Sequence, residues 1–189
     1  MINIADPHNQ RQHDFDIFLD VLQRATALIE PDYFQLPVAE LEDPVYRERV
    51  YCYELYHRLR QVLPNDYGYR LDGELDKSGH PVIHHEIGPV KPDFLVHRRG
   101  EMNNNLVVVE VKPVTVQKDG LEKDFRTLRD FIIKARYFRS IYLIYGYDDD
   151  VIANVAAKAQ AEIVDLAAGS FYLLAHRQPL SPAEIVIRI

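Results

Sequence analysis

The chain has 189 residues, 47% of them hydrophobic, and a formal net charge of −7. This size fits one globular domain that buries a core without disulfide bonds. The single cysteine, Cys52, excludes a disulfide framework and a multi-cysteine zinc site. The sequence has no apolar run long enough for a transmembrane helix, and its first ten residues lack the pattern of a secretory signal. We therefore expect a cytoplasmic protein with no membrane partner.

The charge is unevenly distributed along the chain. Residues 1–43 contain two basic and nine acidic side chains, whereas residues 44–189 contain twenty of each. The whole negative excess thus belongs to the N-terminal segment. A net negative charge argues against nucleic acid as a partner, but this argument does not apply to the neutral remainder.

Residues 1–43 are predicted to form an acidic extension with one helix. Residues 1–13 are polar, and we expect them to be frayed. Apolar residues recur at helical spacing from Phe15 to Ile29, and Pro31 follows, so a helix is predicted between them. The rest of the segment, up to Asp43, is predicted to be an irregular connection.

The second part, residues 44–189, is predicted to form the main domain. Asp43-Pro44 has the pattern of a helix start, and Pro64-Asn65-Asp66 has the pattern of a stop. Tyr69 to Leu75 is predicted to be a strand, and residues 77–91 a loop or a broken strand.

The remaining elements alternate between strands and helices. Strands are predicted at 93–97, 106–111, 140–147 and 171–175, and helices at 118–138 and 151–166. LVVVEV, which begins at Leu106, is the strongest strand signal in the chain. This order predicts an α/β domain with a central mixed β-sheet flanked by helices on both faces.

Three charged residues on two neighbouring strands carry the functional prediction. Glu110 and Lys112 are two residues apart in one strand, so their side chains project from the same face. Asp93 directly follows Pro92 and opens the preceding strand. If the two strands pair as an antiparallel hairpin, Asp93 lies opposite approximately position 111 and beside Glu110. Two adjacent carboxylates repel each other, and oxygen ligands suit Mg²⁺ or Mn²⁺.

Pro92-Asp93 followed by Glu110-Val111-Lys112 resembles the signature of the PD-(D/E)xK nuclease superfamily. The surrounding sequence also resembles small stand-alone members of that superfamily. The resemblance covers about half of the chain, residues 44–147. It implies a restriction-endonuclease-like core with the element order αβββαβ, and a Mg²⁺- or Mn²⁺-dependent nuclease acting on DNA. RNA is an alternative substrate, and the chain could act as a monomer or as a homodimer.

The resemblance also implies a role for each residue. Asp93, Glu110 and the backbone carbonyl of Val111 would hold the cation, and Lys112 would orient or deprotonate the attacking water. Metal-bound water is a better nucleophile at neutral pH than free water. The alternative is structural: Asp93 caps a strand, and Glu110 and Lys112 form an ion pair at a sheet edge.

A helix often supplies one more acid in this superfamily, and Glu54 is the candidate here. The alternative for Glu54 is an ion pair with Arg58 at the favoured four-residue spacing. Glu74 is the second candidate, because an acid on the first strand would lie beside Asp93. Glu86 is the third.

Basic and histidine residues complete the candidate site. Lys123, Arg126 and Arg129 are three apart on the helix after the Glu-x-Lys strand, and are predicted to contact phosphates. A solvated helix face is the alternative. Gln117, just before this helix, is a further candidate.

The histidine cluster, His80, His84 and His85, lacks a fourth ligand at zinc-like spacing, so we expect the loop that carries it to shape the mouth of the site.

Two rival functions use the same residues. The fold could serve as a catalytically silent module that binds nucleic acid or protein in a defence or repair assembly. Alternatively, the charged residues could form a purely structural ion-pair network. Metal binding distinguishes these rivals from a nuclease.

Overall fold

The computed structural model describes residues 6–75, 81–116 and 118–189. In these ranges the chain builds one six-stranded mixed sheet whose strand order follows the sequence. Strands β1 to β3 are antiparallel, β3 to β5 are parallel, and β6 is antiparallel to β5. The predicted α/β class and mixed sheet are confirmed. The strands are β1 Arg70–Gly73, β2 Phe94–His97, β3 Asn105–Pro113, β4 Arg139–Tyr145, β5 Phe171–His176 and β6 Glu184–Arg188.

Helices pack on both faces of this sheet. One hydrophobic core joins the sheet to α1 and α3, and the other joins it to α5 and α6. No helix in the described ranges is long and apolar enough to cross a bilayer. The helices are α1 Pro7–Thr26, α2 Pro31–Phe34, α3 Glu48–Val62, α4 Pro81–Glu86, α5 Lys118–Ile133 and α6 Asp149–Glu162.

Strand β3 is the centre of the sheet and carries the strongest pattern. Val107, Val109 and Val111 belong to the core on the α1–α3 side, and Val108 belongs to the core on the α5–α6 side. Since side chains alternate along a strand, Glu110 projects toward the α5–α6 side, as Val108 does. The last residues of β3 are less buried than the valines before them, so the charged side chains lie where the core ends.

The N-terminal segment is part of the fold from Pro7 onward, which corrects the prediction of fraying for residues 7–13; residues 1–5 lie outside the described residues. Helix α1 already begins at Pro7, because the Asp6 side chain accepts a hydrogen bond from the His8 N–H at 3.0 Å and proline occupies the first turn. Phe15 and Phe18 are completely buried in the core on the α1–α3 side. A second, short helix, α2, lies in the segment predicted to be irregular.

The helix predicted to start at Asp43-Pro44 begins later, at Glu48. The prediction was wrong because Val45 makes a β-bridge: its N–H and C=O both pair with Leu36, at 3.0 and 2.8 Å. This long-range pairing overrides the local helix-start signal. The predicted end is confirmed, since α3 stops at Val62, before Pro64.

Three further elements differ from the sequence predictions. Residues 81–86, predicted to be loop or broken strand, form α4; residues 76–80 lie outside the described residues. Helix α5 ends at Ile133 rather than near residue 138, and Arg136 adopts a left-handed backbone with φ of 58°. Strand β6 has no counterpart in the prediction; it pairs with β5, and its side chains are exposed or half-buried.

Candidate active site

The predicted charged residues meet where β2 begins and β3 ends. Phe94 pairs with Val109 in an antiparallel register, which places Asp93 beside Glu110, within one residue of the predicted position. The Val111 N–H donates to Asp93 Oδ2 at 2.7 Å. Lys112 Nζ lies 2.7 Å from Glu110 Oε1. The hairpin is therefore confirmed, and Asp93 and Glu110 project from the same face of it.

Burial and mutual repulsion control the charges in this cluster. Burial is the main cause that raises the pKa of Asp93 to about 6, and the nearby Lys112 opposes it. Burial and the charge of Asp93 together raise the pKa of Glu110 to about 8. Burial disfavours the Lys112 ammonium, but Glu110 and Asp93 outweigh it and raise the pKa of Lys112. Above the raised pKa of Glu110 the cluster thus carries two carboxylate charges against one lysine, and below that pKa Glu110 holds a proton.

The backbone at Val111 is open to a ligand on the side where Asp93 lies. Continuing the β2–β3 register places Pro92 opposite Val111, and proline has no N–H to donate to the Val111 carbonyl. The N–H and C=O of one strand residue point to the same side. Since the Val111 N–H bonds the Asp93 carboxylate, its carbonyl faces the same region.

Glu48, which sequence reasoning missed, is the acid that α3 brings to Lys112. Its Oε1 lies 3.1 Å from Lys112 Nζ, and its charge also contributes to the raised pKa of Asp93. The signal was present in the sequence: Glu48 precedes Cys52 and Leu55 by four and seven residues. Glu48 therefore lies on the same face of the helix as this apolar stripe, at its N-terminal end.

The structure places Glu54, the predicted helix acid, in the ion pair with Arg58 that was the alternative. Their side chains approach to 2.5 Å, and Arg58 also contacts Glu30 at 3.3 Å. Glu74 contacts Lys91 at 2.6 Å and adds its charge to the raised pKa of Asp93. Glu86, the third candidate, ends α4 and contacts its neighbour His85.

Helix α5 adds Asp124, and β4 adds Tyr142, and neither was predicted. Asp124 lines a small cleft of about 130 Å³ together with Glu110 and Lys123. Its Oδ2 and the Tyr142 hydroxyl are buried and have no hydrogen-bond partner among the described residues. Tyr142 pairs with Glu110 across the parallel strands. The signal for Asp124 was its place between Leu121 and Leu128 on the apolar stripe of α5.

The basic residues on α5 divide into exposed and paired side chains. Lys123 and Arg126 are exposed, and Lys123 lines the cleft that contains Glu110. Arg129 is half-buried and contacts Asp165 at 2.8 Å. The stripe therefore offers one exposed cation at the cleft, Lys123, and a second exposed cation, Arg126, three residues further along α5. Gln117 lies outside the described residues.

The histidines do not assemble into a zinc site in the described part of the chain. His84 and His85 are exposed, and His80 lies outside the described residues. His97 is buried and its Nε2 lies 2.8 Å from Asp72 Oδ2. Among residues 6–75, 81–116 and 118–189, no group of three or more histidine, cysteine, aspartate or glutamate side chains is arranged to hold a metal ion.

Comparison with known proteins adds no relative. No protein-family model matches the chain, and no curated protein matches it. The function is therefore inferred from the geometry of the site and from the resemblance of its residues to the PD-(D/E)xK signature.

Proposed function

We propose that the chain is a metal-dependent nuclease that hydrolyses DNA phosphodiester bonds. The observation that carries the proposal is the convergence of Asp93, Glu110 and Lys112 at the end of β3, with an ion pair of 2.7 Å between the last two. Two half-buried carboxylates can hold a divalent cation, and a neighbouring lysine can stabilise charge on a phosphate, so the groups suit phosphodiester hydrolysis with a metal.

The residues present fit a hard divalent cation. Asp93 and Glu110 supply carboxylate oxygens, and the Val111 carbonyl faces the same region. Mg²⁺ is commonly held by one or two carboxylates, with water and substrate phosphate completing its shell. A site with only two acidic side chains is therefore sufficient. When bound, Mg²⁺ or Mn²⁺ lowers the pKa of water and offsets the charge of the scissile phosphate.

Lys112 has two functions in this proposal. Its ammonium group keeps Glu110 and Glu48 close to each other, at 2.7 and 3.1 Å. It also places a positive charge and a proton donor where the phosphate must approach the two carboxylates. Lys112 thus orients the attacking water and stabilises charge on the phosphate.

The arrangement of the elements supports a restriction-endonuclease-like core. Helix α3 is followed by β1, β2 and β3, then by α5 and β4, which matches the αβββαβ order that the resemblance implies. The short α4 is an insertion between the first two strands. Of the three residues of the signature, Asp93 directly precedes the second strand, and Glu110 and Lys112 lie on the third.

The positive groups beside the cleft support DNA as the proposed substrate. Lys123 is exposed on α5 and lines the cleft with Glu110, and Arg126, also exposed, follows it by three residues; both can contact the phosphates that flank the scissile bond. RNA offers the same phosphates, so a ribonucleic acid substrate is an outcome to be tested with the same protein.

Calorimetric titration with Mn²⁺ tests the metal site. We expect the wild-type chain to bind Mn²⁺, and Asp93→Ala to give no heat of binding, because it removes one of two carboxylates. Asp20→Ala, which removes an exposed acid on α1, is the control and should bind as the wild type does.

Three results would contradict the proposal. Absence of binding heat in the wild type would favour the structural ion-pair network. Unchanged binding in Asp93→Ala would place any cation elsewhere. Metal binding without cleavage of any nucleic acid would favour the rival in which the fold is a silent binding module.

A further inference from the structure

A second pocket adjoins the cluster on its other side. It has a volume of about 440 Å³ and lies between α3, β1 and the start of β2. This volume falls within the range of roughly 300–1,000 Å³ that is typical of small-molecule pockets. Asp93 lines it, and Lys91 lines both this pocket and the cleft that contains Glu110. The two cavities therefore meet at Lys91.

Aromatic rings form one wall of the pocket. Tyr53 is 61% exposed although it lies beside a buried cluster, and Tyr56 stacks almost parallel to Phe94, with ring centroids 6.3 Å apart. Gly73 permits this arrangement, because a Cβ there would come within 3.3 Å of the Tyr56 ring. The pocket thus presents flat apolar surfaces to a ligand.

The opposite wall carries two ion-paired carboxylates. Glu74 is held by Lys91 at 2.6 Å and by Arg49 at 3.3 Å, and Asp72 is held by Arg99. The backbone of Glu74 is left-handed, with φ of 44°, which is costly for a residue other than glycine. Because a carboxylate can accept more than two hydrogen bonds, both groups keep acceptor capacity, and this wall favours ligand groups that donate hydrogen bonds.

We infer that this pocket takes an unpaired nucleobase of the strand whose phosphate lies at Asp93. A base offers an apolar face for Tyr53 and amino groups for the Glu74 carboxylate, and the neighbouring Lys91 is placed for the connecting phosphate. A base inside an intact duplex cannot reach the pocket, since its faces and edge are occupied. The inference depends on the proposed function and narrows its substrate to single-stranded or unpaired regions.

Fluorescence titration tests the pocket independently of cleavage. The full chain is titrated, without divalent cation, into a single-stranded oligonucleotide that contains a fluorescent adenine analogue, and into the same oligonucleotide as a duplex. We expect the single strand to bind more tightly. Tyr53→Ala should weaken its binding by about tenfold, in line with the loss of one base–aromatic stack. Tyr53→Phe keeps the ring and should bind as the wild type does.

Tyr33→Ala is the matched control, because Tyr33 is 40% exposed and is not part of this pocket. Equal binding by wild type and Tyr53→Ala, or equal binding of duplex and single strand, would overturn the inference.

Cleavage assays on the same variants separate the two proposals. If duplex is cut and Tyr53→Ala cuts at the wild-type rate, the nuclease function holds and the pocket assignment fails. If the Tyr53-dependent binding is found, the pocket assignment holds even when no cleavage occurs.

Discussion

Above the raised pKa of Glu110, two half-buried carboxylates beside one ammonium give the end of β3 an excess of negative charge. Such an arrangement is costly for the metal-free fold, because burial removes the water that would stabilise the charges. Glu110 shows this cost, because burial and the charge of Asp93 raise its pKa to about 8. A protein keeps such a feature where it serves a function.

Replacing Glu110 tests this cost directly. A raised pKa means that the folded chain binds the proton more tightly than the unfolded chain does. The resulting stabilisation is complete below pH 4.5 and is lost as the pH rises toward 8. We therefore expect Glu110→Gln to raise the free energy of unfolding of the metal-free protein by roughly 1–3 kcal/mol at pH 8.5 and to change it little at pH 4.5.

Urea denaturation at the two pH values, in the presence of a chelator, measures this difference. Glu162→Gln, which changes an exposed acid at the end of α6, is the control and should show no such pH dependence. A variant that is destabilised at pH 8.5 would show that the Glu110–Lys112 ion pair outweighs the burial cost.

Helix α1 is an integral element rather than an appendage. Its apolar stripe is buried against α3 and β3 in the core of the α1–α3 side. Tyr67 fastens the helix further, since its hydroxyl donates to the Asp14 carbonyl at 2.7 Å. Deleting residues 1–43 would therefore remove part of the core and cannot isolate the effect of the acidic charge.

Substitution of Phe18 measures the contribution of α1. Phe18 is completely buried, so Phe18→Ala should lower the free energy of unfolding by about 3–5 kcal/mol. His13→Ala, at an exposed position of the same helix, should leave it nearly unchanged. Chemical denaturation of both variants provides the measurement, and a loss below about 1 kcal/mol in Phe18→Ala would contradict the account of α1 as core.

The elements show which features a sequence can predict. The runs of β-branched residues in β3 and β4 have one favourable environment, a buried strand, and their positions were predicted well. The start of α3 was not, because the Val45–Leu36 bridge depends on a contact that local patterns do not encode. Glu48 and Asp124 were missed for a related reason: each occupies a helical stripe that looks apolar until the neighbouring charges are known.

At the scale of the whole molecule, the acids at the start of α1 are separated from the cluster. Arg11 of α1 donates to the Asn105 carbonyl at 2.8 Å, which places the first part of α1 at the amino end of β3. The cluster lies at the carboxyl end, roughly 20 Å away at about 3.3 Å per strand residue. This distance exceeds a Debye length of about 8 Å at physiological salt. The segment that follows α1 returns to the carboxyl end, where Phe34 contacts Tyr145, so only part of the net charge of −7 is remote from the site.

A cleavage assay with Mg²⁺ or Mn²⁺ on supercoiled, linear, branched and single-stranded DNA tests the central claim most directly. We predict cleavage by the wild-type chain and a rate about 10²–10⁴-fold lower in Lys112→Ala, which removes the group that orients the water. Lys158→Ala, which breaks only the ion pair with Glu122 between α6 and α5, should cut at the wild-type rate. Absence of cleavage in the wild type, or an unchanged rate in Lys112→Ala, would contradict the account.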